Sequence, residues 1–314
     1  MRNIWEERDG DFSDTSAAGR GYNLHIEHGL SREDFQMMTG QMALLVALLG
    51  PAADIPADTS FKVEKHLDIA YRTDAGADKD RHKLDLYVPK GKKDFPVLFF
   101  VHGGSWKSGS KGMYAAVGNS FAGAGIGTVV INYRLSPKVQ HPAHVEDVAK
   151  AFAWTCDNVA KYGGKADRVF ACGHSAGGHL VSLLATDPSY LKAEKHAPAD
   201  IRGVVAISGV YEIGTDFPLF HSVFGKDPAV CKAASPLTHA TGKHPPFLIA
   251  YADNDFANLD TMAIDLNAAL AKNESPATLM KLADRNHYTI VFNLVNLADP
   301  LHKAVGDFIG KHAK

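Results

Sequence analysis

The sequence predicts an α/β fold in which a mostly parallel central sheet is flanked by helices. Short runs that are almost wholly apolar recur after residue 95, as in strands buried on both faces of a parallel sheet. Segments with helical periodicity alternate with these runs, at about 113–124, 143–161, 177–186 and 257–272. Two segments that alternate polar and apolar residues precede them, at 62–71 and 83–88, and indicate an antiparallel strand pair at one edge of the sheet.

The buried strands predicted from the apolar runs follow one another at regular intervals. In chain order they are Pro96–Val101, Thr128–Ile131, Val169–Cys172, Val204–Ile207, Phe247–Ala250 and, more weakly, Leu279–Leu282. Ligands of open parallel sheets bind beyond the carboxyl ends of the strands. The residues directly after these runs are therefore the candidates for function.

Composition excludes several classes of protein. The chain has 314 residues, of which 46% are hydrophobic and 22% charged, as in ordinary globular proteins. Lys and Arg number 33 against 35 Asp and Glu, so there is no basic excess to bind nucleic acid. The three cysteines are too few and too scattered for a disulfide framework or a zinc cluster. No apolar run is long enough to span a bilayer.

The strand Val169–Cys172 leads into a G-x-S-x-G pentapeptide, residues 173–177, and then into a helical pattern. A strand, a sharp turn and a helix are the context that lifts such a serine above the sheet as a nucleophile. The alternative is a glycine-rich βα turn that has this pattern by chance. The sequence context favours Ser175 as a nucleophile.

The strand Pro96–Val101 leads into His102-Gly-Gly-Ser-Trp106. Glycines at a strand end let backbone N–H groups turn toward an anionic oxygen. We expect the donors of an oxyanion hole at Gly103 and Gly104, together with Ala176, and Ser105 is a fourth candidate. The alternative, a phosphate-binding loop, lacks the G-x-G-x-x-G continuation.

A serine nucleophile needs a base, and the base needs a carboxylate that fixes its tautomer. His287 follows the weak strand near 279–282, 112 residues after Ser175, and is the predicted base. Asp253 and Asp255 both follow the strand Phe247–Ala250. We favour Asp255, at the tip of the turn, with Asp253 as the alternative. No H-E-x-x-H or C-x-x-C motif is present, so no metal site is predicted.

These motifs together resemble the α/β-hydrolase superfamily, in the branch of hormone-sensitive-lipase-like esterases, feruloyl-esterase-like enzymes and kynurenine formamidases. The resemblance covers about residues 62–312 and also rests on Asn132–Pro137, His141–Asp147, Ala234–Leu237 and Pro245–Ile249. The Gly-Gly-x-Trp form of the loop looks more like the feruloyl-esterase and formamidase side. The acid turn departs from the family pattern with Ala252 and Phe256-Ala257. The resemblance implies a cofactor-free serine hydrolase with the α/β-hydrolase fold.

Ahead of the predicted sheet, the sequence indicates a polar arm and one capped amphipathic helix at 32–49. We therefore divide the chain into an N-terminal arm and cap helix (1–60) and a catalytic domain (61–314). The apolar face of the helix is expected to lie beside the mouth above Ser175, with packing on the far side of the sheet as the alternative. The run Met42–Leu49 could instead belong to a signal peptide if translation began at Met37 or Met38, but the residues from Met37 to Gln41 carry no positive charge.

The function predicted from these residues is a serine carboxylesterase for small or aryl esters. The alternatives are an arylformamidase, a feruloyl or acetyl esterase, and a binding protein that has lost activity. Candidate substrate contacts are Ser105, Trp106, Phe217, Phe220, Phe224 and Met38. The expected partner is a small ester and not nucleic acid, a homodimer is compatible with the sequence, and the expected location is the cytoplasm, or outside the cell if a signal is processed.

Overall fold

The computed structural model describes residues 61–314. The predicted helix at 32–49 and Met38 lie outside the described residues. The proposed division of the chain at residue 60 therefore stays a prediction.

A single eight-stranded sheet forms the centre of the described region. Its strands are β1 (Val63–Ala70), β2 (Lys83–Pro89), β3 (Phe95–Val101), β4 (Gly127–Ile131), β5 (Gly164–His174), β6 (Ile201–Ile207), β7 (Phe247–Asn254) and β8 (Ala277–Asn286). Their spatial order is β1-β2-β4-β3-β5-β6-β7-β8. Strands β1 and β2 pair antiparallel, β2 also runs antiparallel to β4, and the remaining pairs are parallel. The predicted α/β class and the antiparallel pair at one edge are confirmed.

The sheet strands extend beyond several of the apolar runs that predicted them. Strand β5 begins five residues before the run at Val169, and β7 and β8 each continue for four residues past theirs. The added residues are largely polar and exposed, so hydrophobicity alone does not reveal them. Strand β8 gives the weakest signal because, within residues 61–314, it is the last strand on its side of the sheet and is only partly buried.

Helices cover both faces of the sheet. They are α1 (Ala115–Gly123), α2 (Ala143–Asn158), α3 (Ala176–Thr186), α4 (Pro188–Ala193), α5 (Pro218–Phe224), α6 (Pro228–Ala233), α7 (Pro236–His239), α8 (Leu259–Lys272), α9 (Thr289–Phe292) and α10 (Pro300–His312), with short 3-10 turns between some of them. Side chains of α2, α3 and α8 share one hydrophobic cluster with one face of the sheet. Side chains of α1 and α10 share a second cluster with the other face.

The helical patterns predicted at 113–124, 143–161, 177–186 and 257–272 correspond to α1, α2, α3 and α8. The pattern analysis did not single out the other helices, most of which are seven residues or shorter. Five of them begin with a proline in the first turn, where a missing N–H costs no hydrogen bond. Those prolines were the feature of the sequence that could have predicted where these helices begin.

The register of the parallel strands brings four strand ends to one edge of the sheet. Val101 of β3 lies opposite Gly173 of β5, and His174 lies opposite Ile207 of β6. Ile207 in turn lies opposite Ala250 of β7. The loops after these strands therefore open at a common edge, which is where ligands of such sheets bind.

None of the helices within residues 61–314 has the length and apolarity that crossing a bilayer demands.

Candidate active site

Ser175 occupies a tight turn between β5, which ends at His174, and α3, which begins at Ala176. Its backbone is left-handed in φ, at 56° with ψ at −120°, and its N–H donates to Ile207 O at 2.9 Å. A Cβ on Gly177 would stand 2.1 Å from the carbonyl oxygen of Val101, so only glycine lets α3 approach β3 this closely. The turn leaves the Ser175 side chain partly exposed above the carboxyl edge of the sheet.

His287 lies directly after β8, and its ring reaches both Ser175 and Asp255. Its Nε2 is 2.9 Å from Ser175 Oγ, and its Nδ1 is 2.6 Å from Asp255 Oδ1. Because an ionised carboxylate only accepts hydrogen bonds, Nδ1 carries the proton and Nε2 is free to accept from the serine hydroxyl. The structure thus brings together the three side chains that the sequence singled out as nucleophile, base and preferred acid.

The carboxylate side chain of Asp255 is 3% exposed and is held by several donors. Its Oδ2 accepts from the Ser208 hydroxyl at 2.5 Å and from the Ala252 N–H at 3.2 Å, and its Oδ1 also accepts from the Phe256 N–H at 2.9 Å. Burial acts to raise the pKa of this carboxyl. Hydrogen bonds from His287, from the Ser208 hydroxyl and from the Ala252 N–H outweigh burial and leave the pKa of Asp255 below its ordinary value. The group is therefore an anion facing the imidazole.

Asp253, the alternative acid, points elsewhere. Its two carboxylate oxygens accept from the backbone N–H groups of Asp284 and Arg285, each at 3.0 Å. These bonds lower the pKa of Asp253, which is exposed at the surface. Asp253 thus ties the end of β7 to the end of β8, two and three residues before His287.

The loop after β3 lies against the serine turn. A Cβ on Gly103 would stand 2.9 Å from His174 O and 3.1 Å from Ser175 Cβ, so the two backbones are in close contact. Gly104 has φ of 114°, and a Cβ there would meet Ser108 O at 2.3 Å. Gly103 therefore lies against Ser175 on one side with Gly104 next in the same loop, and Ala176 directly follows Ser175 in the chain.

Three histidines around this edge are buried and uncharged. Burial lowers the pKa of His102, His174 and His179 to about 3 each. His102 Nδ1 lies 2.7 Å from Gly103 O, and His174 Nε2 donates to the backbone carbonyl of His287 at 2.7 Å. His174 therefore holds the backbone of the residue predicted as base, a role that its place beside the serine did not reveal.

The aromatic candidates for substrate contact fall into two groups. Trp106, Phe220 and Phe224 are 1%, 6% and 4% exposed and pack edge to face on one another. Phe217 is 37% exposed and packs on Phe220. The contact of substrate with any of these residues, or with the partly exposed Ser105, stays a prediction.

Two residues at this edge escaped the sequence reasoning. Ser208 directly follows β6, so its position at a strand end was the available signal. Phe256 stacks on the His287 ring with centroids 4.2 Å apart and remains 40% exposed. The only signal in the sequence was that Phe256 departs from the family pattern directly after the proposed acid, Asp255.

Within residues 61–314 no group of three His, Cys, Asp or Glu side chains is arranged to hold a metal ion.

Comparison with known proteins agrees with this architecture. The family model BD-FAE matches residues 84–270, more than half of the chain. The probable carboxylic ester hydrolase LipM of Mycobacterium tuberculosis is 34% identical over 177 residues, which are 51% of this chain and 41% of LipM. Esterase LipQ of the same organism is 28% identical over 233 residues, which are 68% of this chain and 55% of LipQ. The chain thus spans about half the length of these curated relatives.

Among solved structures, esterase B from Lactobacillus rhamnosis superposes with a TM-score of 0.74 at 20% identity, over 90% of this chain and 94% of that chain. This likeness shows the fold, and with the sheet described above it confirms the predicted α/β-hydrolase architecture. Because the family model extends from β2 to α8 and includes the serine turn, the chain belongs to the BD-FAE family.

Proposed function

We propose that the protein is a serine carboxylesterase that hydrolyses small or aryl carboxylic esters. The observation that carries this proposal is the continuous hydrogen-bonded chain from Ser175 Oγ through His287 to Asp255. The ester hydrolase names of the curated relatives support it. Residues 61–314, which contain all three side chains, are the proposed catalytic domain.

In the first half of the reaction, His287 Nε2 takes the hydroxyl proton as Ser175 Oγ attacks the ester carbonyl carbon. The C–O bond to the alcohol then breaks, and the imidazolium returns the proton to the departing alkoxide. In the second half, a water molecule gives a proton to Nε2 and attacks the acyl-serine. Collapse of that intermediate frees the carboxylic acid and restores the Ser175 hydroxyl with the proton from His287. Asp255 keeps Nδ1 protonated and stabilises the imidazolium.

The negative oxygen of each tetrahedral intermediate requires donors that are already aimed at it. The N–H groups of Gly103, Gly104 and Ala176 are the proposed donors, since the two segments that carry them meet beside Ser175. Backbone donors of this kind need no rearrangement during the reaction. They stabilise the transition state more than the neutral carbonyl of the substrate.

An arylformamidase would use the same three side chains on a formyl amide. The exposed aromatic rings of Phe217 and Phe256 suit an aromatic group in either substrate class. The relatives named above are ester hydrolases, and no feature of the described residues favours an amide. The ester is therefore the proposed substrate.

A panel of substrates tests the proposal: p-nitrophenyl acetate, butyrate and octanoate, methyl ferulate, and N-formyl-kynurenine. We expect the highest kcat/KM on one of the esters, and Ser175→Ala to lower it by about 10⁴-fold or more while the protein stays folded. A fluorophosphonate should label the wild type once, at Ser175. Preferential cleavage of N-formyl-kynurenine would favour the formamidase, and activity retained by folded Ser175→Ala would overturn the proposed mechanism.

A further inference from the structure

The loop after β3 adopts a strained backbone conformation, which contacts with the surrounding structure must stabilise. Gly104, Ser105 and Trp106 are three successive residues with positive φ, at 114°, 53° and 59°. Left-handed backbone is sterically disfavoured for residues other than glycine. Such a conformation persists only where the surrounding structure determines it, and it is often found at functional sites. This loop also carries Gly103 and Gly104, the proposed oxyanion donors.

The Trp106 side chain anchors the loop. The indole is 1% exposed, and its ring packs edge to face on Phe220 and Phe224. Its Nε1–H donates to His179 Nδ1 at 3.2 Å, and the Trp106 carbonyl oxygen accepts from the Ser136 N–H at 2.9 Å. The indole ring and the backbone of Trp106 are thus both held by contacts outside the loop.

His179 links this anchor to the nucleophile. It lies in α3, one turn after Ser175, and its backbone N–H donates to Ser175 O at 3.0 Å. Its ring nitrogens have unambiguous roles, because an indole N–H only donates and a carbonyl only accepts. Nδ1 therefore accepts from Trp106, and Nε2 carries the proton and donates to Ala234 O at 2.8 Å. The ring is fully buried and neutral, so it can accept across the working pH range.

We propose that His179 is a positioning residue that aligns the two halves of the oxyanion hole through Trp106. One half, Ala176, begins the helix that carries His179. The other half, Gly103 and Gly104, lies in the loop that Trp106 anchors. The inference rests on the proposed esterase function, and it assigns to His179 a part in transition-state stabilisation without contact with the substrate.

Other contacts shape the loop from within. The carbonyl oxygen of Gly104 accepts from the N–H groups of Lys107 and Ser108, both at 3.0 Å, and from the Ser108 hydroxyl at 3.1 Å. These bonds join residues within five positions of one another, so they fix the form of the loop but not its place relative to α3. The bond between Trp106 and His179 spans 73 residues and makes that connection directly.

The first test is His179→Phe, which removes the acceptor and leaves the indole N–H buried without a partner. Misaligned donors weaken binding of the transition state more than binding of the substrate. We expect kcat per folded molecule to fall by about 10- to 100-fold while KM changes by less than about threefold. Complete removal of one oxyanion donor typically lowers kcat by about 10²- to 10³-fold, and misaligned donors should cost less than a deleted one. His179→Gln retains an acceptor and a donor on a side chain of similar reach and should restore most of the rate.

Trp106→Phe removes the donor of the same hydrogen bond. It provides the test if His179→Phe does not fold. It should lower kcat to a similar extent. Because both changes delete one interaction, the double variant should lose no more than the worse single variant, a coupling that a double-mutant cycle measures. Additive losses would overturn the proposal, as would a loss in Trp106→Phe that appears in KM alone.

Two further measurements separate positioning from general destabilisation. A trifluoromethyl ketone, whose adduct with Ser175 carries an oxyanion, should bind His179→Phe more weakly by about the same factor as kcat/KM falls. His302→Phe is the matched control, since His302 is also buried and bonded to a backbone carbonyl, Leu294 O at 2.8 Å, but lies in α10 on the other face of the sheet. It should lower Tm and leave kcat per folded molecule unchanged.

The outcomes distinguish this inference from the proposed function. An active wild type with inactive Ser175→Ala, but with unchanged kcat and inhibitor binding in folded His179→Phe, overturns the role of His179 alone. A wild type without activity on the ester panel, or with activity that survives Ser175→Ala, overturns both.

Discussion

Asp255 and His287 are the first residues beyond the paired ends of two neighbouring parallel strands. The last bridge between β7 and β8 joins Asn254 to Asn286, and the next residue on each strand is the aspartate or the histidine. Their side chains meet with Asp255 Oδ1 2.6 Å from His287 Nδ1. The register of one strand pair therefore sets the distance between the proposed acid and base.

Mutation of Asp255 and of Asp253 should lower the activity to very different extents. Asp255→Asn places an amide opposite His287 Nδ1 and favours the wrong tautomer, so kcat should fall by about 10³- to 10⁴-fold. Asp253→Asn is the matched control, because it removes a charge two residues away but leaves an oxygen that accepts one of the N–H groups at the end of β8. It should lower Tm and cost far less activity. Steady-state kinetics and thermal melts of both variants decide the ranking, and the reverse order would move the acid to Asp253.

Ser208 should support Asp255 through its hydroxyl. Ser208→Ala removes the donor to Oδ2 but leaves the Ala252 N–H in place, so we expect kcat to fall by about 3- to 10-fold, as for loss of a hydrogen bond worth about 1 kcal/mol. Ser208 has φ of 46°, which glycine adopts without strain. Ser208→Gly should therefore show the same loss of kcat with a higher Tm than Ser208→Ala. Unequal losses of kcat in the two variants would show that backbone strain, and not the hydroxyl, controls the rate.

The sequence predicted most of the sheet and the three central side chains, because each depends on local pattern. Buried parallel strands are short apolar runs, and a nucleophile turn needs glycines at fixed spacing, as at Gly173 and Gly177. The partners that support these side chains come from distant parts of the chain. Ser208 meets Asp255 across 47 residues, and Trp106 meets His179 across 73 residues. No local pattern encodes such contacts, so they became visible only in the folded chain.

The choice between Asp253 and Asp255 shows the same limit. The apolar run that marks β7 ends at Ala250, whereas the strand continues to Asn254. Both aspartates therefore looked like turn residues, and the sequence argument rested on their distance from an apparent strand end. The structure places Asp253 within the strand and Asp255 just beyond it, and their partners differ accordingly.

Phe256 should affect the rate through its stacking on His287. The ring covers one face of the imidazole, with centroids 4.2 Å apart and planes 27° apart. An aromatic face attracts a cation, and the imidazole becomes one in the transition state, so Phe256→Ala should lower kcat by about 3- to 30-fold. Phe256→Tyr keeps the ring and should act like the wild type, and Phe256→Leu should fall between them. Equal rates in the leucine and tyrosine variants on p-nitrophenyl acetate would show that the ring only excludes water.

The buried neutral histidines should make the protein sensitive to mild acid. His102, His174 and His179 have a pKa of about 3 in the folded state, whereas an unfolded histidine has a pKa of about 6.5. Between these values the unfolded chain binds protons that the folded chain does not. The free energy of unfolding therefore falls as pH decreases below about 6.5, by about 1.4 kcal/mol per pH unit for each such histidine.

For these three histidines together, the free energy of unfolding should decrease by about 4 kcal/mol between pH 6 and pH 5. This interval lies above the ordinary pKa of aspartate, about 3.9, so carboxylates with a lowered pKa such as Asp255 contribute mainly at lower pH. Burial also lowers the pKa of His141 and His144 to about 4, so these two residues add to the slope in the same direction. Urea unfolding at several pH values measures the total slope, and His179→Gln should reduce it by about 1.4 kcal/mol per pH unit, the contribution of one histidine. A free energy of unfolding that does not change across this interval would mean that the histidines accept protons within the folded protein. Their burial argues against this, because it penalises the charged imidazolium.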